Sequence, residues 1–395
     1  MKNLLLNLTN KKLPKYQLLA EGLRTAIRSG QLKPGELLPS SRDLAGTFKI
    51  HRHTVMNALA ELEAEGWITT HPKRHYQVTT TLPSTFLQAK VFKKQTNSET
   101  RNYTFSRPLE IGDYSPNLNF QHSFPSGFPD VRLFPMQEFK SHIYDALQSP
   151  KILSYGDPIG HSKLIDQIQI YLRRVRSVKD KEIIITNGSQ EALFLMAQLL
   201  VKPGDYVAVE ALGYPPAFEA LKFAGAKLLP IKVDSEGLII DDLEKQLKKK
   251  TIKFLYTTPL HQYPSTVTLS ATRRLRLYEL ALKNNILIIE DDYDHEFHYV
   301  SQPIAPLASF DPSGIILYVS TFSKILFPSA RVGFMAVPSA IAKEMAKLKR
   351  ISSRQNEQLL QVAIAGWMAS GGFEKHLRKM RRTYEERRNQ MLVVV

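Results

Sequence analysis

Lys324 stands in the run YVSTFSKILFPSARVGF, directly after an apolar, strand-like stretch. A single lysine in a lysine-rich chain is ordinarily a solvated charge. Its neighbours suggest more. Ser320, Thr321 and Ser323 offer hydroxyls, and Arg331 follows on the same segment. Hydroxyls and a guanidinium can hold a phosphate beside a reactive amine. The chemistry that fits is an internal aldimine between Lys324 and pyridoxal phosphate.

Further segments bear on that chemistry. NILIIEDDYDHEF (285–297) ends an apolar run on Glu290, Asp291, Asp292, Tyr293 and Asp294. A carboxylate at a strand end can pair with a pyridinium nitrogen, and a nearby phenol can bond the ring oxygen. The same residues also suit an acidic loop or a magnesium site. TNGSQEAL (186–193) passes from strand to helix, so the amides near Gly188, Ser189 and Gln190 face any phosphate at the helix N-terminus. An ordinary strand-to-helix turn would read alike. Tyr214, in EALGYPPA, is placed to stack on a pyridine ring, or else is a core or surface aromatic. His261, with Gln262 and Tyr263 in TTPLHQYPS, closes another strand and can reach a ring hydroxyl, or else serves as a structural hydrogen-bonder.

These segments need a scaffold, and the hydrophobic pattern supplies one. Strand-like runs at 181–188, 206–210, 226–233, 251–259, 285–293 and 314–322 alternate with helical patterns such as 189–201 and 271–285. That order predicts an α/β domain with a largely parallel sheet. Upstream, the pattern predicts a helix over 16–29, a second from Arg42 to Phe48 behind a Pro39–Ser40 start, and a third from Arg52 to Glu65 ended by Gly66. Two short strands, 67–70 and 75–78, complete a winged helix-turn-helix. The third helix directs Arg52, His53, Thr54 and Asn57 towards a DNA groove, and Ser41, Arg42, Lys73 and Arg74 towards phosphates. The alternative is a small helical domain with a solvated basic face. A polar stretch without apolar period joins the two parts.

Composition agrees with both parts. The 395 residues carry 53 Lys plus Arg against 37 Asp plus Glu, a formal net charge of +16 that suits a polyanionic partner or a membrane surface. Cysteine is absent, which excludes disulfides, thiolate metal sites and a cysteine nucleophile, and fits a reducing compartment. No run of 18 or more apolar residues predicts a membrane helix, and the N-terminus does not read as a signal peptide.

The words LPKYQLL (13–19), LKPGELLPSSRDLA (32–45) and HRHTVMNALAELEAEGWI (51–68) resemble the winged-helix domain of GntR regulators. TNGSQEAL, TPLHQYPS, EDDYDHEF and STFSKILFPSARVG resemble fold-type I aminotransferases, and the whole layout resembles the MocR/GabR subfamily. The resemblance implies a multidomain chain. Residues 12–80 would be the winged helix-turn-helix, 81–115 a linker, and 116–375 the large domain of a pyridoxal-phosphate-dependent transferase fold with a mostly parallel sheet. Residues 376–395 would begin a C-terminal small domain left incomplete, without the segment whose arginine binds an effector carboxylate.

It further implies that Lys324 forms the aldimine, Asp291 pairs with the pyridine nitrogen, Tyr293 approaches the ring oxygen and Tyr214 stacks on the ring. Ser189, Gln190, Thr321, Ser323 and Arg331 would surround the phosphate. Tyr155, in LSYGDPIG, would reach the partner's phosphate in a domain-swapped homodimer. The function implied is a cytoplasmic regulator that binds operator DNA, senses an amino acid or amine by aldimine exchange at Lys324, and acts on RNA polymerase recruitment or operator affinity. The rival readings are an aminotransferase with an accessory DNA-binding domain, and a DNA-binding regulator without effector response. The chain departs from the family at the wing tip, HPKRH instead of glycine-rich. Ser177, Thr266 and Ser320 stand where glycines are usual.

Overall fold

The computed structural model describes residues 13–71, 75–81, 127–299 and 304–394, and the chain divides into two compact units, 1–106 and 107–395. The linker expected at 81–115 lies, apart from its first residue, outside the described residues, as do Lys73 and Arg74.

In the first unit, α1 (Lys15–Arg28), α2 (Ser41–Phe48) and α3 (Arg52–Ala64) precede an antiparallel pair, β1 (Ile68–His71) and β2 (His75–Val78). Helix α1 buries Leu19, Leu23, Ala26 and Ile27, and α3 buries Val55, Ala58, Leu59 and Leu62, each a stripe at helical spacing. Trp67, Ile68 and Val78 close the same core from the wing. Ser40 caps α2 by accepting from the Asp43 amide at 3.2 Å. Arg24 clamps α1 onto the end of α3 through two bonds to Glu65, at 2.9 and 2.8 Å.

The second unit is built on a seven-stranded sheet in the order β3-β11-β10-β9-β8-β4-β5. The strands are β3 (Glu182–Thr186), β4 (Tyr206–Glu210), β5 (Lys227–Ile231), β8 (Ile252–Thr257), β9 (Leu287–Asp292), β10 (Ile316–Thr321) and β11 (Gly333–Val337). A small hairpin, β6 (Val233–Asp234) and β7 (Gly237–Leu238), stands apart. Strands β5, β4, β8, β9 and β10 run parallel. Strand β11 is antiparallel to both its neighbours, so β3 points the same way as β10. The helices are α4 (Met136–Leu147), α5 (Ser162–Tyr171), α6 (Gly188–Leu200), α7 (Pro215–Phe223), α8 (Ile240–Leu247), α9 (Ala271–Lys283), α10 (Ser339–Ser352), α11 (Leu359–Ala369) and α12 (Gly372–Val394).

Both sheet faces are covered, which is why the strands read as unbroken apolar runs. Alternate residues feed two cores: Ile288, Ile316 and Tyr318 join one, with Leu164, Ile168 and Trp367, while Ile289, Leu317 and Val319 join the other, with Met196, Val207 and Tyr256. The sequence pattern placed six of the seven strands. It missed β11, whose five residues follow Arg331 with almost no turn and continue into α10.

Two of the departures from glycine have a backbone consequence. Ser177 and Thr266 both adopt left-handed backbone, φ 54° and 64°. Side chains there cost about 1–2 kcal/mol, part of which glycine gives back through unfolded-chain entropy. Ser177→Gly and Thr266→Gly should therefore each raise stability by roughly 0.5–1 kcal/mol. Urea midpoints of the single variants check this, and a fall in either midpoint contradicts it.

Candidate functional site

The chemistry-bearing segments all leave the same edge of the sheet. Ser189 and Gln190 follow β3, Tyr214 follows β4, His261 follows β8, Asp291 is the penultimate residue of β9, Thr321 ends β10, and Ser323 and Lys324 follow it. In a parallel sheet these C-terminal strand ends form the natural ligand crevice.

At one side of the crevice lies a cradle for an anion. Pairing sets Thr321 opposite Gly333 and Gly333 opposite Thr186, so the end of β10 and the β3–α6 turn are brought together. Gly188, φ 80°, opens α6, and a Cβ there would come within 2.8 Å of the Arg331 guanidinium. Arg331 itself donates to the Asn187 carbonyl at 2.7 Å. The Thr321 and Ser323 hydroxyls are 2.8 Å apart. The Gln190 amide donates to Pro216 at 3.0 Å while its Oε1, also buried, has no partner among the described residues. Free amides at the start of a 13-residue helix, two hydroxyls and a guanidinium suit a phosphate.

At the other side stand carboxylates. Tyr256 donates to Asp291 Oδ2 at 2.9 Å, while Asp291 Oδ1 is buried and has no partner among the described residues. That orphaned acceptor is what a protonated ring nitrogen would satisfy. Burial pushes the Asp291 carboxyl up to about 7, and the neighbouring Asp292 and Asp294 add to the rise. Asp292 is equally buried. Arg176 and His295 nevertheless hold it down to about 2. Burial likewise depresses the Lys324 amine, with Asp294 and Asp291 pulling the other way, and Lys324 donates to the Gly127 carbonyl at 2.7 Å.

Aromatic rings line the space between. Tyr214 meets Tyr263 edge-on at 5.7 Å, Tyr263 meets Tyr293 at 6.3 Å, and Tyr293 stacks on His261 at 6.0 Å. The Tyr293 phenol is pushed up by burial and by Asp294 and Asp291. His261 pairs through Nδ1 with Asp294, a partner the sequence pattern did not suggest. Tyr155 lies on the surface, 76% exposed, with the Arg354 guanidinium 4.1 Å over its ring. Arg132 is held by Asp130 through two 2.8 Å bonds.

In the first unit, Arg42, Arg52, His53 and Asn57 are exposed, and Thr54 is half-buried. Arg52 Nε donates to Ser41 Oγ at 3.1 Å, linking the start of α3 to the start of α2. His53 and Asn57 lie one helical turn apart, 3.5 Å between side chains.

The sequence matches the class I and II aminotransferase family over residues 124–393 and the gntR family of bacterial regulatory proteins over 15–78. The chain belongs to the GntR/MocR-type regulators, with an N-terminal helix-turn-helix and a fold-type I aminotransferase-like domain. It is 30% identical over 380 residues to the probable rhizopine catabolism regulatory protein MocR of Rhizobium meliloti, covering 95% of this chain and 76% of that one. It is 30% identical over 375 residues to the pyridoxine biosynthesis transcriptional regulator PdxR of Corynebacterium glutamicum, covering 94% and 76%. Among solved structures, the kynurenine aminotransferase of Pyrococcus horikoshii, in complex with PMP, matches with a TM-score of 0.65 and 32% identity over 67% of this chain and 68% of that one. The α-aminoadipate aminotransferase LysN of Thermus thermophilus, complexed with N-(5'-phosphopyridoxyl)-L-leucine, matches at 0.63 and 26%, over 68% and 69%. This likeness to pyridoxal-phosphate enzymes implies the capacity to bind that cofactor.

The raised Asp291 value has a measurable consequence. Between its ordinary 3.8 and about 7 the folded chain binds more protons at this site than the unfolded chain. Stability from this group therefore falls as pH climbs through that window. Asp291→Asn should stabilise the cofactor-free protein at pH 8 by about 2–4 kcal/mol, with the gain shrinking towards pH 4. Urea midpoints at pH 5 and pH 8 test it, and a gain independent of pH would count against the assignment.

Proposed function

We propose that this chain is a DNA-binding transcriptional regulator that holds pyridoxal phosphate at Lys324 and senses an amino compound there. The observation that carries the reading is the orphaned Asp291 oxygen facing the same crevice as Lys324 and the anion cradle, in a chain that also has a GntR-type helix-turn-helix. When bound, pyridoxal phosphate supplies an aldehyde that condenses with amines and a ring that withdraws electrons. The protein's residues supply the rest. Asp291 Oδ1 accepts a hydrogen bond from the protonated ring nitrogen and keeps it protonated, and the Tyr256 hydroxyl fixes that carboxylate's rotamer. Ser189, Gln190, Thr321, Ser323 and Arg331 hold the phosphate. Tyr214 covers the ring, while Tyr293 and His261 close its oxygen-bearing side. Burial keeps more of the Lys324 amine neutral, and so nucleophilic, than solvent would.

Arg52, His53, Thr54 and Asn57 read the DNA groove, and Ser41, Arg42, Lys73 and Arg74 engage phosphates. The exposed Tyr155 supports a homodimer in which it reaches the partner's phosphate site. Effector exchange at Lys324 would shift operator affinity or RNA polymerase recruitment. No described helix is long and apolar enough to cross a membrane. Identity of about a third to a kynurenine aminotransferase favours a second reading, true transamination. Turnover of an amino acid with a keto acid would reveal it.

Pyridoxal phosphate added to the purified chain should give a visible absorbance band that Lys324→Ala abolishes. An unchanged band in the variant would refute the Lys324 assignment. At low salt with cofactor present, operator DNA should bind, and Arg52→Ala should weaken it about tenfold. Equal affinity of the two proteins in gel shifts would remove Arg52 from the interface.

A further inference from the structure

Behind the anion cradle lies a charge that the proposed function leaves unused. Lys349, near the end of α10, has no exposed side-chain surface. Its ammonium donates to the Ile185 carbonyl at 2.9 Å and to Asn356 Oδ1, and stands 3.6 Å from Glu191 Oε2. Glu191 accepts from the Asn187 amide at 2.5 Å and from Asn356 Nδ2 at 3.0 Å. The carbonyl of that same Asn187 is the acceptor for Arg331. Ammonium, carboxylate, peptide unit and guanidinium thus form one chain that ends in the cradle.

A cation at this depth costs several kcal/mol in lost hydration, and ion pairing seldom returns more than that. Burial lowers the Lys349 pKa, with Glu191 opposing the shift. Packing alone does not call for a charge here, since an apolar side chain of similar length would fill the same space. What the charge does is oppose Glu191. Without it, an uncompensated carboxylate would sit directly behind amides that must face an anion. Inside a protein such a charge acts over several ångströms with little screening.

We propose that Lys349, paired with Glu191, is a positioning residue for the phosphate cradle: it fixes the Asn187 turn and keeps the potential there positive. The inference rests on the cofactor reading above and assigns a role to a residue that touches neither cofactor nor effector.

The test compares pyridoxal phosphate with pyridoxal, which lacks the phosphate, on the cofactor-free full chain. Dissociation constants come from absorbance titrations of wild type, Lys349→Met, Glu191→Gln and the double variant. Lys349→Met should weaken pyridoxal phosphate about tenfold and pyridoxal less than about twofold. Glu191→Gln should leave the preference for the phosphorylated ligand at or above wild type, and the double variant should recover part of the Lys349→Met loss. Equal weakening of both ligands would make Lys349 a fold support only and overturn the proposal, as would no change. Should Lys349→Met fail to fold, the double variant measured against Glu191→Gln reads the same charge. A lower phosphate preference in the double variant supports the proposal, and an equal preference overturns it. A wild type that binds both ligands alike would refute the cofactor reading itself, an outcome visible before any variant is measured.

Discussion

The crevice depends on a buried arginine. Arg176 ends the π-helical turn that continues α5 and is 2% exposed. It donates to Tyr318, to Ser320 Oγ at 2.9 Å and to Glu296, and its guanidinium lies 3.4 Å from Asp292. Tyr171 donates to Glu296 at 2.6 Å, and Ser320 donates to the Asp292 carbonyl at 2.7 Å. Removing one member of such a network leaves a buried charge unpaired, so its members stand or fall together. The network joins the ends of β9 and β10 to the segment beyond them.

The same network explains how two adjacent carboxylates differ. Successive residues of a strand face opposite sides of the sheet. Asp292 turns to Arg176 and stays ionised, while Asp291 turns to the crevice, where Tyr256 is its one hydrogen-bond partner among the described residues. Identical groups, one residue apart, are pushed in opposite directions by their surroundings, to about 2 and about 7. The sequence EDDYD shows a cluster of acids. It does not show this division of labour, because Tyr256 and Arg176, which tell the two apart, come from elements over 30 residues away.

That contrast marks what was legible. The strand runs, the three N-terminal helices and the wing pair could be read, because burial on one or two faces leaves a period in the sequence. The strand-end motifs could be read as a set because parallel topology delivers every strand end to one edge. Strand β11 was missed because the turn before GFMAV carries no glycine–proline pair and the run passes almost directly into α10. Arg176, Tyr256, Glu191 and Lys349 had no local signal. A buried charge looks like a surface charge until its partner is known. The His261–Asp294 pair was hidden for the same reason, although each residue stood in a segment already singled out.

Ser320 shows how a departure from the family pattern can be absorbed. Where a glycine is usual, its hydroxyl joins Arg176 to the Asp292 carbonyl, so the substitution adds a bond to the network. For Ser177 and Thr266, in left-handed backbone, no side-chain hydrogen bond to the described residues offsets the strain. The difference lies in position. Ser320 faces a buried polar cluster with unmet hydrogen-bonding capacity, while Ser177 and Thr266 face outward at turns. The crevice between these elements is polarised along the sheet edge, with Arg331 and the α6 amides at one side and Asp291 and Asp294 at the other. A ligand anionic at one end and protonated at the other fits that field in a single orientation. Neither half alone would impose it, because an anion cradle without the carboxylates would hold a phosphate and leave the ring free to turn.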